Sequence, residues 1–467
     1  MKKSRKFTAL TLTLILVIST AGCSAKPTGN DGGDSQTITF VQPSASSEDG
    51  LSANPSELPS ANQAITTSAS PVASTSTTAP AKPSTSASAT TPALPEPKEY
   101  HIGIVTFGGD SHYHDETLGA EALIAQYGSV EDGGMIKHRA GIHEAPEGQI
   151  YDIVRLADDP LMKAIIINPG DWLTADAIER IKDAGRDDII LLAQMPHPAK
   201  PLLYELADVV VSLDDFTRGY YDIARVKEMG ASTFVHMTFP RHMSVEILSR
   251  RSNMFEEACK DLGIQFVSVT VPDPASEVSV ADAQQQVYDL MPHLVDLYGK
   301  DAIYFSTNTA LQKPIIKRVL ELGGLFLNQD YPSDSFSYPG ALGLDLTALR
   351  GDWWATTQEI EKDIISKGQS GRMGTFAYSF DYCGTTALFR LAVDMIEGKV
   401  SGDLKKDLLS AYQSETPGCE WRAEIFVDPE GAKIDNYYLL SMETYIFGKG
   451  FTSVFDMPLP EKYYSIK

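Results

Sequence analysis

The residues best suited to chemistry in this sequence are amides, carboxylates and aromatics rather than nucleophiles. Asp110, Asp171 and Asp345 offer carboxylate oxygens, Asn168, Gln194 and Asn308 offer paired amide donors and acceptors, and Arg241 stands beside His242. Groups of this kind hold hydroxyls through paired hydrogen bonds, and Phe107 and Tyr113 add flat faces for a ring to stack on. Together they describe recognition of a small polar solute. Catalytic signatures are missing: the sequence has no G-x-S-x-G elbow, no G-x-x-x-x-G-K-[ST] loop and no H-E-x-x-H pair, and no G-x-G-x-x-G follows its first apolar run. No catalytic residue and no cofactor is expected. His112 and His114, followed by Asp115-Glu116, come nearest to a metal-ligand spacing. Alternate side chains of an extended loop diverge and no third spaced ligand follows, so no metal is expected either. Asp214-Asp215 is one carboxylate pair in a chain with 62 Asp and Glu, and a hinge or capping role accounts for it.

These side chains need elements to position them. Short apolar runs at 101–107, 164–168, 189–194, 209–212, 233–239, 265–271, 302–306 and 342–346 read as buried parallel strands. Stretches of helical periodicity lie between them, at 174–184, 245–262, 283–298, 311–322 and 351–366. Strands alternating with helices of this length specify βαβ units, and in such sheets ligands sit beyond the carboxyl ends of the strands. Each candidate above directly follows, or closes, one of these runs. Trp353 and Trp354 fall inside a helical stretch and are expected in the core. Arg250 and Arg251 are expected on a helix surface.

The two ends of the chain differ in kind. Four basic residues (Lys2, Lys3, Arg5, Lys6) precede an apolar run from Phe7 to Ile18, the layout of a secretory leader and too short to span a bilayer. The leader closes on Thr20-Ala21-Gly22-Cys23, which resembles a bacterial lipobox. That resemblance implies cleavage after residue 22, lipidation of Cys23 and a cell-membrane location on the extracellular side. Residues 23–98 are rich in Ser, Thr, Ala and Pro, with few large apolar side chains to repay ordering. They read as a disordered tether whose span is about 50 Å for a flexible chain. The net charge is −23, and loss of residues 1–22 removes four positive and no negative charges, leaving −27. Such acidity argues against nucleic acid and against a polybasic membrane surface as partners. Cys259, Cys383 and Cys419 are odd in number and widely spaced, so no bridge is expected, and Cys259 and Cys383, in helix-like and partly apolar stretches, are expected as buried small hydrophobes.

From Glu99 onward the motifs resemble a known group. Ile102-Gly-Ile-Val-Thr with Gly119-Ala-Glu-Ala-Leu, the turn Ile167-Asn-Pro-Gly-Asp, and Gly343-Leu-Asp-Leu are similar to type I periplasmic solute-binding proteins, the ribose-binding relatives especially. Phe107 and Tyr113 stand where that group has paired Phe. Over nearly all of residues 99–467 the chain also resembles an uncharacterised family of bacterial surface lipoproteins with this fold, through Thr238-Phe-Pro-Arg-His-Met-Ser244, Leu248-Ser-Arg-Arg251, Gly371-Arg-Met-Gly-Thr-Phe-Ala-Tyr-Ser379 and Thr444-Tyr-Ile-Phe-Gly-Lys-Gly450. The resemblance implies two Rossmann-like α/β lobes with parallel sheets and a three-crossing hinge. Lobe 1 is expected at about 99–214 and 380–423, and lobe 2 at about 215–379 and 424–467. It implies capture of a sugar or nucleoside-like solute by hinge closure, with Asn168, Asn308, Asp345 and Arg241 as carried-over contacts. An ABC transporter permease is the implied partner and a monomer the implied state. A ligand-sensing receptor component of the same fold is the alternative, and an extracellular hydrolase a lesser one.

Overall fold

A computed structural model describes residues 36–38, 99–106, 115–141, 146–170, 173–195, 200–276, 278–331, 333, 337–428 and 430–466. Cys23, the leader, most of the tether, Phe107, Asp110, His112, Tyr113, His114, Asp171 and Trp172 lie outside the described residues. In chain order the strands are β1 (Gln36–Ile38), β2 (His101–Thr106), β3 (Ile136–Ala140), β4 (Met162–Ile167), β5 (Ile190–Met195), β6 (Val209–Leu213) and β7 (Thr233–Thr238). There follow β8 (Gln265–Thr270), β9 (Ala302–Ser306), β10 (Gly374–Thr375), β11 (Trp421–Val427), β12 (Lys433–Met442), β13 (Thr444–Ile446) and β14 (Gly450–Thr452).

The apolar runs form strands because both of their faces can be buried. Along β4, Ala164 and Ile166 face one core while Ile165 and Ile167 face another, the period of two that a pleated strand imposes. β4 belongs to a seven-stranded sheet of order β11-β12-β6-β5-β4-β2-β3, parallel throughout except for the edge strand β11. A second sheet, β1-β8-β7-β9, is wholly parallel. The short antiparallel set β10-β13-β14 accompanies the places where the chain passes between the two. Helices cover both faces of each large sheet. Four of them matter for the site: α1 (Asp115–Tyr127), α2 (Arg218–Glu228), α3 (Glu246–Leu262) and α4 (Phe380–Ile396). α2 packs on α3 beside the second sheet, while α4 packs on α1, β4 and β5 of the first. The chain therefore crosses after β6, again between β10 and α4, and finally between β12 and β13. This is the two-lobed α/β architecture expected, with Rossmann-like parallel sheets.

Three expectations need correction. Leu342–Leu346 is not a strand. Pro339 starts a short helix, Tyr338–Leu342, and Gly343 at φ 73° closes it, so the apolar residues belong to a helix end and the turn after it. The third crossing lies at Glu443 rather than near 424, because β11 and β12 form a hairpin that completes the first sheet. Its alternation was readable: Trp421, Ala423 and Ile425 against Arg422 and Glu424. Finally, the tether is not featureless, since Gln36–Ile38 adds a parallel strand to the open edge of β8. An unpaired strand edge is a ready template for such addition.

Candidate functional site

The described strand ends of lobe 1 converge on the first turn of α4. Ser379 caps that helix, its Oγ accepting from the Tyr382 amide, which sets Asp381 in the first turn. Asn168 follows β4 directly. Its Nδ2 donates to the Asp381 carbonyl at 2.6 Å and to Thr385 Oγ1 at 2.8 Å. Its Oδ1 accepts from Gln194 Nε2 at 3.2 Å. Gln194, at the end of β5, also approaches the Phe380 carbonyl and Asp381 Oδ1, while its Oε1 accepts from Tyr412 Oη at 2.8 Å. The room for that amide comes from Gly384, where a Cβ would lie 1.8 Å from Gln194 Oε1. Asn168 and Gln194 are both fully buried. Their polar atoms are spent within the protein, so in this structure they brace the α4 N-terminus rather than face a solute.

From the other side a segment of lobe 2 reaches over. Tyr331 Oη donates to Asp381 Oδ1 at 2.8 Å, and Ser333 Oγ donates to Asp115 Oδ2 at 2.8 Å. Asp115 and Glu116 open α1. Glu116 is 1% exposed, and neither of its carboxylate oxygens has a hydrogen-bond partner. Burial first, then the Asp381 and Asp115 charges, push its pKa up to about 8. Asp381 is pushed up to about 7, again mainly by burial. A place in the first helical turn favours a carboxylate by about 0.3–1 kcal/mol. Withdrawal from water outweighs it here. Two arginines of lobe 2 are matched by other groups. Arg251 donates to Asp215 Oδ1 and Asp330 Oδ1, each at 2.6 Å, and is 1% exposed, contrary to the surface role expected of it. Arg218 is held by Asp222 at 3.0 Å, by Asn328 Oδ1 and by the Gln329 and Asp330 carbonyls. These ion pairs join α2 and α3 to the segment that carries Tyr331.

The remaining candidates scatter over lobe 2. Arg241, just after β7, forms a two-pronged bond with Asp273, Nε to Oδ2 at 2.6 Å and Nη2 to Oδ1 at 2.8 Å, and holds that carboxyl well below its usual range. His242 Nδ1 lies 3.2 Å from Thr307 Oγ1, and burial lowers the ring's pKa. Asn308 Oδ1 accepts from the Ala310 amide and so caps a single 3₁₀ turn. Arg241, His242 and Asn308 thus share the carboxyl edge of the second sheet. Asp345 does not join them: it is exposed, and its Oδ1 accepts from the Thr347 amide and hydroxyl. Asp115, Glu116, Tyr331, Ser333 and Asp381 were missed. The signal available was the pair Asp115-Glu116 straight after the first strand's loop, a stretch that reads equally as a solute-contacting loop, a solvated loop or a metal-ligand spacing.

Two further arrangements bear on chemistry. Ser252 Oγ lies 3.3 Å from His236 Nδ1, the contact of a nucleophile and its base. However, His236 Nε2 has no orienting partner, and the ring packs among Phe234, Phe255, Phe266 and Phe305. This is core packing. Tyr382, next to Asp381, lines a separate open cleft of about 620 Å³ with Trp353, Trp354, Tyr378, Asp352 and Glu415. Trp353 is buried as expected, but Trp354 is 40% exposed there. The three cysteines at 259, 383 and 419 are free and buried.

The family model described as "Protein of unknown function (DUF3798)" matches residues 100–374, more than half of the chain. The chain belongs to the DUF3798 family. A second family model matches residues 385–466. DUF3798 thus spans the whole of lobe 2 up to β10, together with lobe 1 as far as the first crossing. An uncharacterized protein of Treponema pallidum (strain Nichols) is 42% identical over 184 residues, which are 38% of this chain and 82% of that protein. Among solved structures, a candidate transcriptional regulator from Clostridium difficile 630 superposes with a TM-score of 0.66 at 22% identity, covering 74% of this chain and 99% of that one. That likeness is one of fold. A sugar ABC transporter protein from Actinomyces odontolyticus is similar more loosely, with a TM-score of 0.44 at 9% identity over 67% of this chain and 88% of that one. The DUF3798 chain has a two-lobed α/β fold with parallel sheets.

Proposed function

We propose that this chain is a lipid-anchored extracellular solute-binding protein, not an enzyme. It captures a small polar solute between its lobes and presents the closed form to an ABC permease. The observation that carries the reading is the pair of bonds Tyr331–Asp381 and Ser333–Asp115, which link lobe 2 to lobe 1 beside the hinge crossings. Bonds of that kind exist only while the lobes are together, so a solute that favours the closed arrangement shifts the population toward it. The lipobox-like Thr20-Ala21-Gly22-Cys23 supports the anchor, and the acidic balance speaks against nucleic acid as a partner.

The test is a thermal-shift screen of the purified full chain against sugars, nucleosides, polyols and amino acids, followed by small-angle scattering with any hit. A true ligand at about 100 times its Kd stabilises by roughly 2.7 kcal/mol and makes the molecule more compact. A hit that raises the melting temperature without compaction would remove hinge closure from the reading. Uptake of the identified solute that persists when this gene is deleted would remove the permease.

A further inference from the structure

We propose that the solute held between the lobes carries an ammonium or guanidinium group, bound by the carboxylates of Glu116, Asp381 and Asp115. The inference rests on the solute-binding reading and names the chemistry of its ligand.

The three carboxyls come from the first turns of two helices packed together, α1 and α4. Glu116 is the decisive one: it is buried, and no donor reaches either of its oxygens. Asp381 is also buried, and the groups that donate to its carboxylate, Tyr331 and Gln194, are neutral. Asp115 receives the Ser333 hydroxyl. Arg251 and Arg218, on the helices that hold the Tyr331 segment, are engaged by other acids, Arg251 by Asp215 and Asp330 and Arg218 by Asp222. Acidic groups are therefore gathered under the lobe-bridging bonds, and no hydrogen-bond donor reaches the Glu116 carboxyl. A buried carboxylate without a partner is unfavourable, and a cationic ligand group removes that penalty.

The penalty is also tied to closure, because Tyr331 and Ser333 cover Asp381 and Asp115 from lobe 2. A cation bound there stabilises the closed form more than the open one, which is the differential affinity that hinge capture needs. An organic cation fits better than a metal ion. Among the described residues no three His, Cys, Asp or Glu side chains are placed to hold a metal. An ammonium or guanidinium group, with several spread donors, engages carboxylates that do not converge on one point.

The experiment titrates the full chain with matched pairs, arginine against citrulline, glucosamine against glucose and 1,4-diaminobutane against 1,4-butanediol, and with magnesium and calcium chloride. Melting temperature and calorimetric affinity are read on wild type, Glu116→Gln and Asp381→Asn. At least one charged member should bind while its neutral twin does not, and each variant should weaken that binding by roughly 30-fold or more. Both variants replace the carboxyl by an amide of nearly the same shape, so their unliganded melting temperatures should not fall. Equal binding by a charged compound and its twin, or unchanged affinity in Glu116→Gln, overturns the cationic ligand and leaves solute binding standing. Stabilisation by the metal salts alone overturns it in favour of an inorganic ion. A chain that binds a neutral solute with compaction but none of the amines likewise sinks only this inference. Failure of every compound, here and in the broader screen, takes the solute-binding reading with it.

Discussion

At the scale of single residues, Glu116 and Asp381 make stability depend on pH in an unusual direction. Their ordinary values of 4.5 and 3.8 apply in the unfolded chain, and in the folded protein they rise to about 8 and about 7. Between those limits the folded state holds protons that the unfolded state has lost. Stability from these groups is thus complete below about pH 4 and drains away as pH climbs through 7 to 8. Thermal unfolding of the unliganded chain should therefore show a lower melting temperature at pH 8.5 than at pH 6. Glu116→Gln should flatten that slope, and an unaltered slope would count against its buried, unpaired state. Asn168 illustrates the opposite case. It was expected to meet solute, yet its amide braces Asp381, Thr385 and Gln194. Asn168→Ala should cost about 1–3 kcal/mol in urea unfolding without any ligand, since it leaves buried partners unsatisfied. Unchanged stability would return Asn168 to the list of solute contacts.

At the scale of elements, the site depends on how closely α4 lies against α1 and the ends of β4 and β5. Two glycines permit it. A Cβ on Gly119 would come within 2.9 Å of Thr385 Cβ and 3.0 Å of the Tyr382 carbonyl, and one on Gly384 would occupy the space of the Gln194 amide. Ala is the better helix former, so at an open helical position the change from Gly would stabilise by up to about 1 kcal/mol. Gly384→Ala should do the reverse. It should destabilise by about 1–3 kcal/mol, because Gln194 must leave its bonds to Asn168 and Tyr412. Equilibrium unfolding decides the sign, and a stabilised variant would mean that Gln194 is free to move aside.

At the scale of the whole molecule, two parallel-sheet lobes share one continuous buried layer, with residues of β4, β7 and α4 in the same apolar cluster. Lobe motion must therefore pivot at the crossings rather than part the molecule. The leader and Cys23 lie outside the described residues, and their role is tested on the cell. Cys23→Ala should abolish acylation, seen as loss of detergent-phase partitioning and of acyl mass on the mature N-terminus. A wild-type N-terminus without acyl chains would refute the anchor, and with it the location proposed for the solute-binding lobes.

The sequence by itself determined the repeating elements, because burial on both faces of a parallel strand leaves an uninterrupted apolar run, and helices between such runs keep their own period. Seven of the eight runs are strands within a residue or two of their expected limits. The exception, Leu342–Leu346, was short enough for a helix end bounded by Pro339 and Gly343 to mimic it. What a polar residue at a strand end does was not readable in the same way. Asn168 and Asp345 each follow an apolar run with a turn, yet one is sealed under α4 and the other is solvated at an outer turn. Which of them meets solvent depends on α4 returning from lobe 2 more than two hundred residues later. Only the tertiary structure decided that, and it also brought Asp381 beside Glu116. Two carboxyls so far apart in sequence carry no mutual signal until packing withdraws both from water.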